Sequence, residues 1–161
     1  MIRPAMAPDA PMVAAIWNPI IRDTAVTFAS TEKSVEGLAR DFAVKEAEGK
    51  VFFVAMADER MLGFATYGQF RGGVGYAHAM EHTVILSPDA RGQGVGRALL
   101  TAIEDHARIA GAHVMMAGVS AENPEAVGFH AAHGYRQMVV LPQLGRKFGR
   151  WMDLILMQKM L

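Results

Sequence analysis

The chain has 161 residues, of which 52% are hydrophobic and 20% charged, a composition typical of one globular domain. Its 16 basic and 16 acidic residues cancel, so no broad basic surface for nucleic acid or anionic lipid is expected. The absence of cysteine excludes disulfides, a thiol nucleophile and thiolate metal sites. Without a membrane-length apolar stretch or a signal-like start, the expected location is cytoplasmic.

A short strand and a helix are predicted at the beginning of the chain. The strand spans residues 2–6, and Asp9 is expected to cap the helix, with Pro11 tolerated in its first turn. The apolar residues of this helix recur at helical spacing and so share one inward face: Met12, Val13, Ile16, Trp17, Ile20 and Ile21.

The next segments alternate between strand and helix patterns. Residues 25–28 have an extended pattern, and a second helix over residues 34–48 would end at Gly49. The inward residues of that helix are expected to be Val35, Leu38 and Phe42. Two apolar segments, 51–57 and 61–70, are predicted to pair as a hairpin.

The second half predicts four more strands and two more helices. A glycine-rich loop at residues 72–75 leads into a long strand over residues 76–86, and a helix ends near Ile109. Another helix begins at Asn123. The remaining strands are predicted over residues 113–119, 134–141 and 151–160. With no internal repeat or linker, one mixed α/β domain over residues 1–161 is expected.

The most informative segment lies between the strand over residues 76–86 and the helix that follows. It is Arg91-Gly92-Gln93-Gly94-Val95-Gly96-Arg97, which we call the glycine loop. Glycine lets the backbone approach a ligand closely, and the first amides of a helix form an anion site. Arg91 and Arg97 add positive charge that suits phosphate oxygens. The segment therefore predicts a pyrophosphate site, whereas a plain connecting turn rarely needs three glycines between two arginines.

Two common phosphate-binding loops do not fit this sequence. A dinucleotide fingerprint requires glycine where Arg97 stands, and a P-loop requires lysine there and serine or threonine at Ala98. The remaining pattern, Arg-x-x-Gly-x-Gly, resembles the coenzyme A loop of the GCN5-related N-acetyltransferases.

The resemblance to this superfamily covers nearly the whole chain, through the order of elements, the glycine loop and residues 123–135. Residues 80–84, 128–135 and 147–153 further resemble the phosphinothricin and methionine sulfoximine acetyltransferases. The resemblance implies a single-domain α/β acetyltransferase fold with a mixed central sheet, whose fourth and fifth strands splay apart. It also implies acetyl-CoA as co-substrate, a small-molecule amine acceptor and a homodimer.

The same resemblance implies which residues bind the coenzyme. The main chain of Val84, Ile85 and Leu86 would pair with pantetheine as an added strand. The pyrophosphate would be held by Gly92, Gln93, Gly94, Val95, Gly96 and Arg97. Asn123 matches an asparagine that often contacts pantetheine, although asparagine before proline is also a common helix start.

Acetyl transfer to an amine requires an unprotonated amine, a polarised carbonyl and a proton for the departing thiolate. The resemblance makes Glu81 the general base, acting directly or through water; a solvated strand glutamate is the alternative. His130 stands where many members carry tyrosine, and it would act as acid or base. Tyr135 is a second proton donor candidate or a core aromatic. The strand predicted over residues 76–86 contains histidines that could be metal ligands, but the sequence indicates no third ligand beside them. No bound metal ion is therefore expected.

Substrate recognition is assigned to residues around the expected acceptor site. Arg71 would pair with a carboxylate or acidic group, Lys147 and Trp151 lie in the matching terminal segment, and Phe28 and Tyr76 would supply apolar walls. The glycines that follow Arg71 depart from many relatives, which leaves the acceptor open.

The predicted function is acetylation of the α-amine of a glutamate-like amino acid such as phosphinothricin, methionine sulfoximine or methionine sulfone. The alternatives are another amine (a polyamine, an aminoglycoside or a protein N-terminus) and a non-catalytic coenzyme A-binding module. Neutral charge and Arg71 weigh against cationic acceptors.

Overall fold

Seven strands and four α-helices form the fold in a computed structural model that describes residues 1–161. They follow one another in the order β1 (Ile2–Pro4), α1 (Ala10–Asp23), α2 (Val35–Ala47), β2 (Phe52–Ala57), β3 (Arg60–Gln69), β4 (Ala79–Leu86), α3 (Val95–Ile109), β5 (Val114–Ser120), α4 (Pro124–Ala132), β6 (Arg136–Lys147) and β7 (Arg150–Met160). None of the four α-helices combines the length and the apolar composition that a membrane span requires.

All strands belong to one sheet with the order β1-β2-β3-β4-β5-β7-β6, in which only β4 and β5 are parallel neighbours. These two strands pair only where Ala79–Glu81 faces Val114–Met116. Beyond that point β4 remains paired with β3 and β5 with β7, so the two central strands separate. The mixed sheet with splayed fourth and fifth strands is thereby confirmed.

Each face of the sheet has its own apolar core. The core beneath α1 and α2 contains the fully buried Val13 and Phe64, and Ile85 of β4 packs against it. The core beneath α3 contains Leu99 and Met115, both with no exposed surface. Burying these side chains contributes roughly 1.5–3 kcal/mol each, so both cores hold the central strands firmly in place.

Three predicted strand boundaries differ from the structure. β1 stops at Pro4, and β4 begins at Ala79 because Val74–Tyr76 forms a 3-10 turn. β6 continues to Lys147 instead of ending near Leu141, since a register shift between Leu141 and Gly145 absorbs the local break and pairing with β7 resumes.

Three local predictions in the first half are wrong. Asp9 does not cap α1, because its carboxylate accepts hydrogen bonds from the Arg3 guanidinium at 2.7 and 2.8 Å, which lowers the pKa of Asp9. Val35 at the start of α2 is 39% exposed rather than inward. Residues 25–28 form bends and irregular backbone instead of an extended segment.

Candidate active site

The glycine loop is open in front of the first turn of α3. Gly92 and Gly94 have φ of 74° and 79°, a left-handed conformation that favours glycine. A side chain at either position would meet no atom within 4 Å. The loop therefore has both the backbone shape and the free space that a bound group requires.

The backbone amides of residues 92–97 donate to no protein acceptor. They lie at the positive end of the 15-residue helix α3, where an anion is stabilised by free N–H groups and the helix dipole. The guanidinium groups of Arg91 and Arg97 are exposed, and Arg97 Nε donates to His133 Nε2 at 3.1 Å. These residues fit a pyrophosphate group.

A second open surface runs along β4 next to the glycine loop. Val84, Ile85 and Leu86 pair with β3 on one edge, while their other edge has no strand partner because β5 has separated. An extended amide-containing chain such as pantetheine fits such an edge. Asn123 Oδ1 accepts from the Ala126 amide at 3.3 Å and caps α4, so its helix-start interpretation holds, and its amide nitrogen donates to no protein group.

Neighbouring residues of β4 face opposite sides of the sheet. Ile85 packs with the core of α1 and α2, whereas Val84 and Leu86 pack with the core of α3. Because side chains alternate along a strand, Glu81 faces the α1–α2 side and His82 faces the α3–α4 side. The point at which β4 and β5 separate thus has two chemically distinct faces.

Glu81 is half-buried, and its side chain makes no hydrogen bond or ion pair with the protein. Burial raises the pKa of its carboxyl group above the ordinary value of 4.5. Its carboxylate reaches toward Gly118 of β5, at the opening between the two strands. A carboxyl with a raised pKa and free oxygens at a strand opening is suited to accept a proton.

On the other face, the rings of His82, His130 and Tyr135 form a cluster. The centroid of His130 lies 5.1 Å from that of His82 and 5.2 Å from that of Tyr135. His130 Nδ1 donates to the Ala126 carbonyl oxygen at 2.7 Å, so the neutral ring keeps a lone pair on Nε2, which has no partner. Burial lowers the pKa of His130. The pKa of His82 is lowered to about 3 by burial and, to a lesser extent, by the neighbouring His130.

The hydroxyl group of Tyr135 is already engaged. It donates to Glu104 Oε1 at 2.8 Å, and Lys159 Nζ donates to Glu104 Oε2 at 2.6 Å. Burial, followed by the Glu104 charge, raises the pKa of Tyr135. Sequence reasoning missed Glu104, although a glutamate four residues after the inward Leu100 was a detectable signal of a buried charge.

Phe28 and Lys147, two predicted substrate-binding residues, lie near each other. The Phe28 ring packs directly against Gly145 and occupies the space that a side chain there would need. A Cβ at position 145 would lie within 3 Å of the Phe28 ring atoms. Lys147 Nζ donates to the carbonyl oxygens of Thr24 at 2.6 Å and Thr27 at 2.9 Å. Burial lowers the pKa of Lys147. These contacts hold the α1–α2 connection against β6, a role that sequence reasoning did not assign.

The other three predicted substrate-binding residues lie in two separate places. The Arg71 guanidinium lies 5.3 Å from the centroid of the Tyr76 ring, and both side chains are exposed beside the start of β4. Trp151 is 57% exposed and packs against Arg146 instead, with the guanidinium 4.5 Å from its ring centroid. The structure therefore brings Arg71 and Tyr76 together but not Trp151.

Comparisons with known proteins agree with this geometry. The profile of the "Acetyltransferase (GNAT) family" matches residues 17–135. The L-amino acid N-acyltransferase MnaT of Escherichia coli is 34% identical over 98% of this chain and 91% of its own length. The L-methionine sulfoximine/L-methionine sulfone acetyltransferase of Pseudomonas aeruginosa is 35% identical over 98% and 92%, respectively.

Solved structures also superpose over the full chain. A Brucella melitensis protein named as a ribosomal-protein-alanine N-acetyltransferase matches with a TM-score of 0.96 and 35% identity, covering 100% of this chain and 99% of its own. A phosphinothricin acetyltransferase of Sinorhizobium meliloti, solved in complex with acetyl-CoA, matches with a TM-score of 0.93 and 28% identity, covering 100% and 88%.

Proposed function

Because the chain belongs to the acetyltransferase (GNAT) family and is an acetyl-CoA-dependent N-acetyltransferase, we propose that its acceptor is the α-amine of a small glutamate-like amino acid. The acceptor class is that of phosphinothricin, methionine sulfoximine and methionine sulfone. The observation that carries the proposal is the separation of β4 and β5, with Glu81 on one face and the glycine loop beyond the end of β4.

The free amides of the glycine loop and the charges of Arg91 and Arg97 bind the pyrophosphate of the coenzyme, and the open edge of β4 pairs with pantetheine. Bound in this way, acetyl-CoA supplies the acetyl group at the opening between β4 and β5. A backbone amide of β4 stabilises the oxyanion that develops on the carbonyl.

Two side chains handle the protons of the reaction. Glu81 accepts one proton from the substrate ammonium group, directly or through water, so that the nitrogen can attack the thioester carbon. His130 Nε2, unprotonated in the neutral ring, accepts the second nitrogen proton and delivers it to the departing sulfur as the carbon–sulfur bond breaks. We prefer His130 to Tyr135 for this step because the Tyr135 hydroxyl is bonded to Glu104.

Recognition of the acceptor's carboxylate or acidic side group is assigned to Arg71, which is exposed beside Tyr76 and makes no ion pair. A guanidinium binds a carboxylate or phosphinate with two parallel hydrogen bonds. Phe28 forms an apolar wall, and Lys147 fixes the segment that carries it. The amino-acid acceptors named for the Escherichia coli and Pseudomonas aeruginosa relatives support this class.

A thiol-release assay with acetyl-CoA and a panel of amines tests the proposal. We expect turnover with phosphinothricin, methionine sulfoximine or methionine sulfone, and Arg71→Gln to raise their KM at least tenfold while the KM of acetyl-CoA stays constant. The control acceptors are a polyamine, an aminoglycoside and a peptide with an N-terminal alanine. Turnover confined to the control acceptors contradicts the assigned class, and coenzyme binding without any turnover favours a non-catalytic module.

We also propose that two copies associate through β6, which is one of the two edge strands of the sheet. Its exposed apolar residues Met138, Val139, Val140 and Leu144 adjoin an unpaired backbone edge, a combination that a second copy would cover. Light scattering is expected to give twice the chain mass, and Val140→Lys to give a monomer. A monomeric native protein would contradict this proposal.

A further inference from the structure

We propose that Gly118 of β5 is a positioning residue for Glu81, because its missing side chain leaves the space that the Glu81 carboxylate occupies. This inference deepens the proposed function and rests on the role of Glu81 as general base. Gly118 itself touches no reacting group and acts through the position of the carboxylate.

The backbone at position 118 does not require glycine. Its φ lies outside the left-handed region, unlike that of Gly92 or Gly94 in the glycine loop. Gly118 lies within β5 and pairs with Leu156 of β7, a setting in which glycine weakens a strand relative to residues that have a side chain. The reason for a glycine is therefore the space beside it.

One functional group fills that space. A Cβ at position 118 would lie 2.8 Å from Glu81 Oε1, well inside contact distance, whereas the other close atom, Leu154 Cδ1, is at an ordinary 3.6 Å. Gly118 lies two residues beyond Met116, the last residue of β5 that pairs with β4, and Met116 faces Glu81. The carboxylate thus leans across the first unpaired residues of the opening.

Nothing else in the protein holds the carboxylate there. Glu81 makes no hydrogen bond or ion pair with the protein, so packing against the backbone of Gly118 and partial burial alone set its position. A methyl group at position 118 must therefore displace the carboxylate. Catalysis is sensitive to such movement, since a misplacement of about 1 Å can cost roughly 100-fold in rate.

The variant Gly118→Ala tests this inference with two independent measurements. Carbon-13 NMR titration of labelled glutamate gives the pKa of Glu81, which we expect to fall toward the ordinary 4.5 as the carboxylate is pushed toward solvent. Turnover is expected to fall at least tenfold, while the Kd for coenzyme A changes less than twofold. In the Glu81→Gln background, the same alanine should change turnover less than twofold.

The outcomes separate the positioning role of Gly118 from the role of Glu81 as general base. An unchanged pKa of Glu81 in Gly118→Ala overturns the positioning role, as does an equal turnover loss in both backgrounds, which would mean that the space serves the substrate. A lowered pKa with full turnover supports the positioning role and refutes Glu81 as base. Because only the movable end of the Glu81 side chain lies within 3 Å of the added methyl group, Gly118→Ala is expected to fold, and a failure to fold would also overturn the inference.

Discussion

The two faces of the sheet differ sharply where β4 leaves β5. On the α1–α2 face, Glu81 is half-buried, has no partner and lies at an opening. On the α3–α4 face, one residue later, His82 is stacked on His130 inside a buried aromatic cluster. Burial raises the pKa of the carboxyl group and lowers the pKa of both histidines, so it favours the neutral form on each face.

The difference teaches how one strand can serve a reaction with two proton transfers. In the proposed reaction Glu81 accepts the first proton of the ammonium group, and His130 passes the second proton from the nitrogen to the departing sulfur. Strand alternation places Glu81 on one face of β4 and His82 on the other, where His82 stacks on His130 of α4, so the two proposed proton acceptors lie on opposite faces of β4. Changes on the two faces are therefore expected to have separable effects on catalysis.

The largest effect is expected from Glu81→Gln, which keeps the shape of the side chain and removes its basicity. We expect kcat to fall by about 100-fold to 1,000-fold, within the range of general base catalysis, and the Kd for coenzyme A to stay within twofold. The residual rate should rise with pH as more of the acceptor amine becomes unprotonated. Undiminished turnover at neutral pH would remove Glu81 from the mechanism.

His130→Asn tests the opposite face with a smaller expected loss, about tenfold to 100-fold in kcat. The asparagine amide can still donate to the Ala126 carbonyl oxygen, as Nδ1 does now, but it has no counterpart of Nε2. The double variant with Glu81→Gln then examines the comparison itself. Free-energy effects that add indicate independent faces, whereas a double variant no slower than Glu81→Gln would show that the two groups act as one unit.

Gly94→Val probes the coenzyme site that both faces share. Valine adopts a φ of 79° only with strain, and its side chain would fill the open space before α3, so we expect the Kd for coenzyme A to rise about tenfold. Gly49→Val is the matched control, since Gly49 also has a positive φ and open surroundings but lies after α2. Equal losses of affinity in both variants would attribute the effect to general destabilisation.

The glycine loop could be predicted because its signals are local. Glycines with positive φ, a strand before them and an amphipathic helix after them are all written in one short stretch. The start of β4 could not be predicted, since Gln69 Nε2 folds the following loop by donating to the carbonyl oxygens of Arg71 and Gly73. The continuation of β6 beyond Pro142 likewise depends on its pairing with β7.

The parts of the site that sequence reasoning missed depend on contacts between distant segments. Lys147 is 120 or more positions from the carbonyl groups that it binds, and Glu104 meets Tyr135 and Lys159 only after α3 packs on the sheet. Gly118 resembled an ordinary strand glycine because the carboxylate that occupies its space comes from another strand. The residue types predicted the chemistry of the site. Tertiary packing determined which of these side chains already make contacts with other segments of the protein.

The smallest expected effect on catalysis, and the most informative one about the α3–α4 face, comes from His82→Phe. Both ring nitrogens of His82 are buried without a partner, so the neutral ring has an unsatisfied N–H group, which costs about 1–3 kcal/mol. The pKa of His82 is 6.5 ordinarily and about 3 in the folded protein, so below pH 6.5 the unfolded chain binds more protons. Stability therefore falls with decreasing pH, by at most about 1.4 kcal/mol per pH unit, until pH approaches the folded pKa.

Phenylalanine preserves the ring contacts with His130 and Tyr135 and removes both nitrogens. We expect His82→Phe to raise the free energy of unfolding by about 1 kcal/mol at pH 7 and by more at pH 5, as measured by urea unfolding. The exposed His113→Phe serves as control for a histidine-to-phenylalanine change and should not raise the free energy of unfolding. Turnover near the native value would mean that His82 only shapes the α3–α4 face around His130, whereas a loss as large as that of His130→Asn would place it on the proton path.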